Sequence, residues 1–250
     1  MTLEILPDAE AVARRGADLF TLYAREAAAA RGVFAAALSG GQTPRALYQQ
    51  LARQTIAQKI PWRRVQLYWG DERCVPPDDA SSNYGSAHHA FIKHVAISPD
   101  NVHRMRGENE PQAAAAACEA ELLDMARRQR PPADLPVFDF VLLGLGADGH
   151  TASLFPHTAA LEEEERLCVV NEGEDTGPRL TITLPVINAA RRVLFLVTGA
   201  DKAGIVAEVL EGLRIPKAVP AQAVAPHPGT LTWLLDEAAA GELGAALSGS

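Results

Sequence analysis

The 250 residues carry 23 Lys+Arg against 31 Asp+Glu, a formal net charge of -8, with 48% hydrophobic and 22% charged residues. That composition is ordinary for a globular chain long enough to bury a substantial core; with no basic stripe it argues against general affinity for nucleic acid, but a few local cations can still hold a small anion. Cys74, Cys118 and Cys168 lie far apart with no C-x-x-C pair, and MTLEILPDAEAVARR has no long apolar stretch, so the expectation is a reduced, cytoplasmic protein without disulfide framework, zinc ribbon, signal peptide or membrane span.

In chain order, DAEAVARRGADLFTLYAREAAAARG has apolar residues at helical spacing and predicts an amphipathic helix ending at Gly32. VFAAALSGG predicts a buried strand running into glycines. TPRALYQQLARQ predicts a helix with Thr43 as N-cap and Pro44 at its first position. VQLYWGDERCVP predicts a second strand with charges at its carboxyl end. DASSNYGSAHHAFIKHV predicts a loop entering a helix, AAAAACEAELLDMARRQ a further helix, and RPPADLPV a proline-rich connection. FDFVLLGLG predicts a third strand, RLTITLPVINAARRVLFLVTG two more, ADKAGIVAEVLEG a helix, and TLTWLLDEAAAGEL a terminal helix before a frayed SGS. Alternating strands and helices predict a single α/β domain over residues 1–250, with a mostly parallel sheet covered by helices on both faces.

Three strand ends share one design: Leu38-Ser39-Gly40-Gly41, Gly144 to Gly149, and Val197 to Lys202, while Asp71, Glu72 and Arg73 close a fourth. Ligands of open α/β sheets bind beyond the carboxyl ends of the strands, so the unusual chemistry collects on one predicted edge. SGGQTP offers free backbone amides, small residues and a helix N-terminus, which suit an anion. A plain tight turn with Thr43 as cap has the same residues.

The segment VLLGLGADGHTASLFP carries two nucleotide-like patterns. Gly144 to Gly149 reads G-x-G-x-x-G, and Gly144 to Thr151 falls one residue short of a P-loop. Neither suits its context. Pro156 would stop the short helix-like segment almost at once, Asp148 would face pyrophosphate, and His150 stands where a P-loop needs a fixed cation. Asp148 and His150 remain, two residues apart, with Gly149 able to bend the chain so that they meet. A carboxylate that orients an imidazole makes a general base; a helix cap beside a surface histidine is the alternative.

Arg73 suits a phosphate clamp or an oxyanion contact, or a solvated charged loop. Lys202, after TGAD, is either a phosphate ligand or an ordinary helix-start lysine, and Arg45 and Arg179 are further phosphate candidates. A serine hydrolase is disfavoured because Ala37 occupies the first glycine position of the nucleophile elbow. H-E-x-x-H is absent, and His88 and His89 diverge on a helix, so no metal is expected. LEEEER is most simply a solvated acidic face.

Taken together, LSGGQTPRALYQQLA, YWGDERCVPPDDASSNYG, FDFVLLGLGADGHTASLFP, ITLPVIN and VTGADKA resemble, in order, the motifs of the 6-phosphogluconolactonase family. The resemblance spans about Leu38 to Ala203, with GADGHTASLFP its most specific part. It implies a Rossmann-like α/β fold shared with glucosamine-6-phosphate deaminases, and hydrolysis of 6-phosphoglucono-δ-lactone in the oxidative pentose phosphate pathway. His150 would activate water, Asp148 would orient it, and Arg73 would stabilise charge on the lactone carbonyl. Gly40, Gly41, Thr43 and Lys202 would surround the phosphate, with Asp71, Asn83 and Arg179 as further substrate contacts. A δ-lactone is an activated ester, so no cofactor or metal is implied; the expected partner is the small phosphorylated lactone, acted on by a monomer. The rival deaminases resemble DGHIAFNEP in the glycine loop, with a glutamate where this chain has Phe155, and carry an aromatic residue where it has Arg73. A non-catalytic sugar-phosphate sensor would keep the phosphate motifs but needs neither Asp148 nor His150.

Overall fold

Phe34–Leu38 (β2) buries all five of its side chains, as does the four-residue Phe140–Leu143 (β5). A strand buried on both faces must have layers packed on both. The computed structural model, which describes residues 1–129, 131–174 and 176–244, supplies them. Thr2–Leu6 (β1) leads into Ala9–Arg31 (α1), capped by the Asp8 carboxylate and closed by Gly32 at φ 77°. After β2 come Gln42–Ala52 (α2), Gln54–Ala57 (α3), Val65–Trp69 (β3) and Asp71–Arg73 (β4). Asn83–Ala90 (α4) and Pro111–Arg128 (α5) precede β5. Cys168–Asn171 (β6), Arg179–Ile182 (β7), Leu184–Asn188 (α6), Arg192–Val197 (β8), Ala203–Glu211 (α7) and Thr230–Asp236 (β9) complete the order.

The main sheet has six strands in the order β1-β9-β8-β5-β2-β3, and every pairing is parallel. Parallel pairing brings the carboxyl ends of β2, β3, β5 and β8 out along one edge, as the sequence predicts. Helix α1 packs on α2, β2 and β9, and α2 packs on α4. Phe20, Phe34 and Phe140 meet edge-on or tilted at 5.1–6.4 Å in the core between α1 and the sheet.

Three sequence expectations change. TLTWLLD is not helical: it forms β9, with Trp233, Leu234 and Leu235 buried between β1 and β8. The alanine-rich DEAAAGEL suggests a helix by propensity, but seven residues rich in β-branched and apolar side chains fill the gap between two strands. Asp71–Arg73 is not the tail of β3. It is the start of a second, antiparallel sheet, β4-β7-β6. The Gly70 peptide joins the two sheets: its N–H donates to Leu38 O at 2.8 Å and its carbonyl accepts from Ile182 N at 2.9 Å. Helix α2 begins at Gln42 with Gly41 as N-cap, so Thr43 lies inside the first turn and makes no cap bond. Strands β1 and β6 go unread in the sequence, and the SGS end lies outside the described residues. Among the described residues no helix is long and apolar enough to cross a membrane.

Candidate active site

A cleft of about 480 Å³ opens where β2, β3, β5 and β8 end. Ser39 to Thr43 line it from the β2–α2 turn, and Thr198, Asp201 and Lys202 line it from the turn after β8. Gly41 and Gly199 both have φ of 101°, in the left-handed region that favours glycine. The Thr43 and Thr198 hydroxyls meet at 2.9 Å, joining the two turns across the cleft. Tyr48, from α2, fixes the first turn by donating to Ser39 O at 2.6 Å and accepting from Ser39 N at 3.1 Å. The start of α2, where helix N–H groups lack intrahelical partners, and Lys202 thus line the same cleft.

The cleft is also lined by Asp71, Arg73, Asn83, Gly144 to Gly146, and His150 to Ala152. The glycine loop does not lead into a helix. Gly146 N–H donates to His150 O at 2.9 Å, Thr151 Oγ1 donates to Gly144 O at 2.9 Å, and Gly149 turns at φ 79°. Thr151 and Leu154 then form an isolated bridge around Ala152 at φ 48°, so the short helix before Pro156 is absent and Asp148 caps nothing. The bend instead brings Asp148 to His150: Asp148 Oδ1 lies 2.5 Å from Nδ1 and accepts the His150 backbone N–H at 3.1 Å. Burial pushes the Asp148 carboxyl up, but the hydrogen bonds and charge of His150 outweigh it and hold the carboxyl below its ordinary value. An ionised carboxylate on Nδ1 assigns the ring hydrogen to that nitrogen and leaves the Nε2 lone pair to take a proton. Phe155, itself buried, packs on the imidazole at 4.8 Å between ring centres.

Asn83 Nδ2 donates to Asp71 O at 2.9 Å and Oδ1 at 3.2 Å, and Ser153 Oγ donates to Asp71 Oδ2 at 2.7 Å. The Arg73 guanidinium donates to Ser81 O. A Cβ on Gly40 would fall 1.8 Å from Asn83 Oδ1, so glycine at 40 is what admits the Asn83 side chain.

Of the sequence candidates, His150, Arg73, Asp71, Asn83, Gly40, Gly41, Thr43 and Lys202 line one cleft, and Asp148 is bonded to His150. Arg179 lies outside the cleft lining, opposite Arg73 in the β4·β7 register, and Arg45 is exposed. Sequence reading missed Ser39, Thr198 and Asp201 as cleft residues, although all three stand in the turns it singled out. It also missed Ser153, whose partner is 82 residues away.

Fold and site together define a Rossmann-like α/β protein whose strand-end cleft is lined by two glycine turns, Lys202 and a histidine bonded to a carboxylate. Residues 7–233 match the model of the glucosamine-6-phosphate isomerase/6-phosphogluconolactonase family, and the chain belongs to that family. It is 42% identical over 243 residues to the 6-phosphogluconolactonase of Nostoc sp., covering 97% of this chain and 98% of that protein. The 6-phosphogluconolactonase of Mycobacterium tuberculosis is 39% identical over 249 residues, covering 97% and 98%. The structure of 6-phosphogluconolactonase from Trypanosoma brucei matches with a TM-score of 0.83 at 28% identity, covering 97% of this chain and 98% of that one.

Proposed function

We propose that this chain hydrolyses 6-phospho-D-glucono-1,5-lactone to 6-phosphogluconate with His150 as the base that activates water. The observation that carries this reading is the Asp148–His150 pair in the same cleft as the Lys202 cradle. The phosphate sits against Lys202, Thr43 and the first amides of α2, which places the lactone carbonyl toward His150 and Arg73. Nε2 takes a proton from water as the oxygen attacks C1, and Arg73 stabilises the resulting oxyanion. Collapse of the tetrahedral intermediate breaks the bond from C1 to the ring oxygen, and the proton held by His150 passes to that oxygen. No covalent enzyme intermediate is needed, because a δ-lactone is already an activated ester. Asp71 and Asn83 contact the sugar. Arg179, beyond the lining, acts on the substrate only through its positive charge beside Arg73.

Phe155 favours the lactonase over a deaminase-like isomerase, since a phenyl ring against the imidazole cannot carry a proton. The reading extends to a monomer working in the cytoplasm. The test is proton release from lactone generated in situ from glucose 6-phosphate: acceleration over spontaneous hydrolysis supports the reading, and its absence rejects it.

A further inference from the structure

Glu72 is a buried ionisable group with no part in the reaction as written. It lies between Asp71 and Arg73 on β4, 2% exposed. Its Oε1 accepts from the backbone N–H of Arg73 at 2.8 Å and of Asn83 at 2.7 Å. Its Oε2 accepts from Tyr84 N–H at 2.8 Å and Ser82 Oγ at 3.1 Å. Burial pushes this carboxyl up, and the three backbone N–H donors oppose that. Ser82 Oγ takes only the Gly85 N–H of α4, at 3.0 Å; Glu72 takes the Asn83 and Tyr84 N–H groups at the start of that helix and so ties its first turn to β4.

What the carboxylate holds is the stretch from Ser82 to Tyr84, directly after the carbonyl that receives the Arg73 guanidinium, Ser81 O. From the surface, Asp79 Oδ1 grips the same residue, accepting Ser81 N at 2.8 Å and Ser81 Oγ at 2.6 Å. The seat of Arg73 is therefore anchored on both sides. We infer that Glu72 is a positioning residue for the hydrolysis: it fixes residues 81–84 against β4 so that the Ser81 carbonyl holds the Arg73 guanidinium toward the cleft, with Asp79 as its outer counterpart. This rests on the reading of Arg73 as the oxyanion contact. Asn83 keeps its own side-chain bonds to Asp71 and is less dependent on Glu72.

The experiment is a double-mutant cycle on kcat, using Glu72→Gln, Arg73→Ala and both together, with Asp79→Ala and Asp79→Ala/Arg73→Ala beside it. In Glu72→Gln an amide NH2 faces backbone donors, so kcat falls about tenfold or more while KM stays within about threefold; in the Arg73→Ala background the same change lowers kcat by no more than about threefold. Asp79→Ala, at an exposed position, lowers kcat a few-fold alone and has no further effect without Arg73. If Arg73→Ala keeps full kcat, the reading of Arg73 itself fails. If Arg73→Ala is slow but the Glu72→Gln and Asp79→Ala losses multiply fully with it, the positioning role is overturned and the reading of Arg73 stands. Should Glu72→Gln not fold, Glu72→Asp, which keeps the charge but draws the carboxylate back from the 82–84 amides, takes its place in the same cycle.

Discussion

Gly146 leaves open the space that the His150 ring fills: a Cβ at position 146 would lie 2.0 Å from His150 Nδ1 and 2.7 Å from Asp148 Oδ1. The glycine here serves the imidazole rather than a nucleotide. Gly146→Ala is expected to displace the ring and lower kcat by about 10²-fold, the scale of a misplacement near 1 Å, while thermal unfolding stays cooperative. An alanine variant with full kcat would show that the ring's position is not set by this contact.

On the proposed mechanism His150→Ala removes the base and leaves Lys202 and Thr43 in place. The expected outcome is a kcat lowered by about 10²–10⁴-fold with KM little changed, read from the in situ lactone assay. Near-normal turnover would transfer the base role to another group.

On the proposed reading Lys202 binds the phosphate, and so contributes to substrate and transition state alike. Lys202→Ala should raise KM for the phosphorylated lactone by roughly 10–100-fold and leave kcat nearly intact. The variant should also lose its preference for the phosphorylated lactone over glucono-δ-lactone. An unchanged KM would place the phosphate elsewhere.

The Asp148 carboxyl ionises more readily in the folded chain than free in solution. Because its folded value is depressed, the stability it contributes is complete above the ordinary aspartate value of about 3.9 and is lost as pH falls through the lower folded value. With its side chain 49% exposed, the contribution stays below about 1 kcal/mol. The gap in urea midpoint between wild type and Asp148→Asn should therefore be full above the ordinary aspartate range and close as the pH falls below it. A gap that grows in acid would contradict the sign.

The local signals in the chain decided a good deal by themselves. Helical periodicity with Asp8 before it and Gly32 after it marks α1, because caps and apolar spacing act over a few residues. Runs such as FAAAL and FVLL, each ending in glycines, mark β2 and β5 and the edge where the cleft opens. Asp148, Gly149 and His150 are close enough in sequence for one left-handed turn to join carboxylate and imidazole, but the residues alone left a helix cap beside a surface histidine open as well, and the bent backbone decides between them.

Other features depended on partners distant in the chain. TLTWLLD becomes a strand because β1 and β8, at residues 2–6 and 192–197, flank it with parallel edges; no window of local propensity contains them. Asp71 to Arg73 leaves the main sheet to pair with β7, more than a hundred residues later, and this sets Arg179 opposite Arg73 outside the cleft lining. Ser153 reaches Asp71, Thr198 reaches Thr43, and Glu72 gathers the amides of α4. Local sequence specifies which groups have suitable chemistry. Packing of the sheets brings them within hydrogen-bonding distance, because those contacts join residues that no short-range propensity relates.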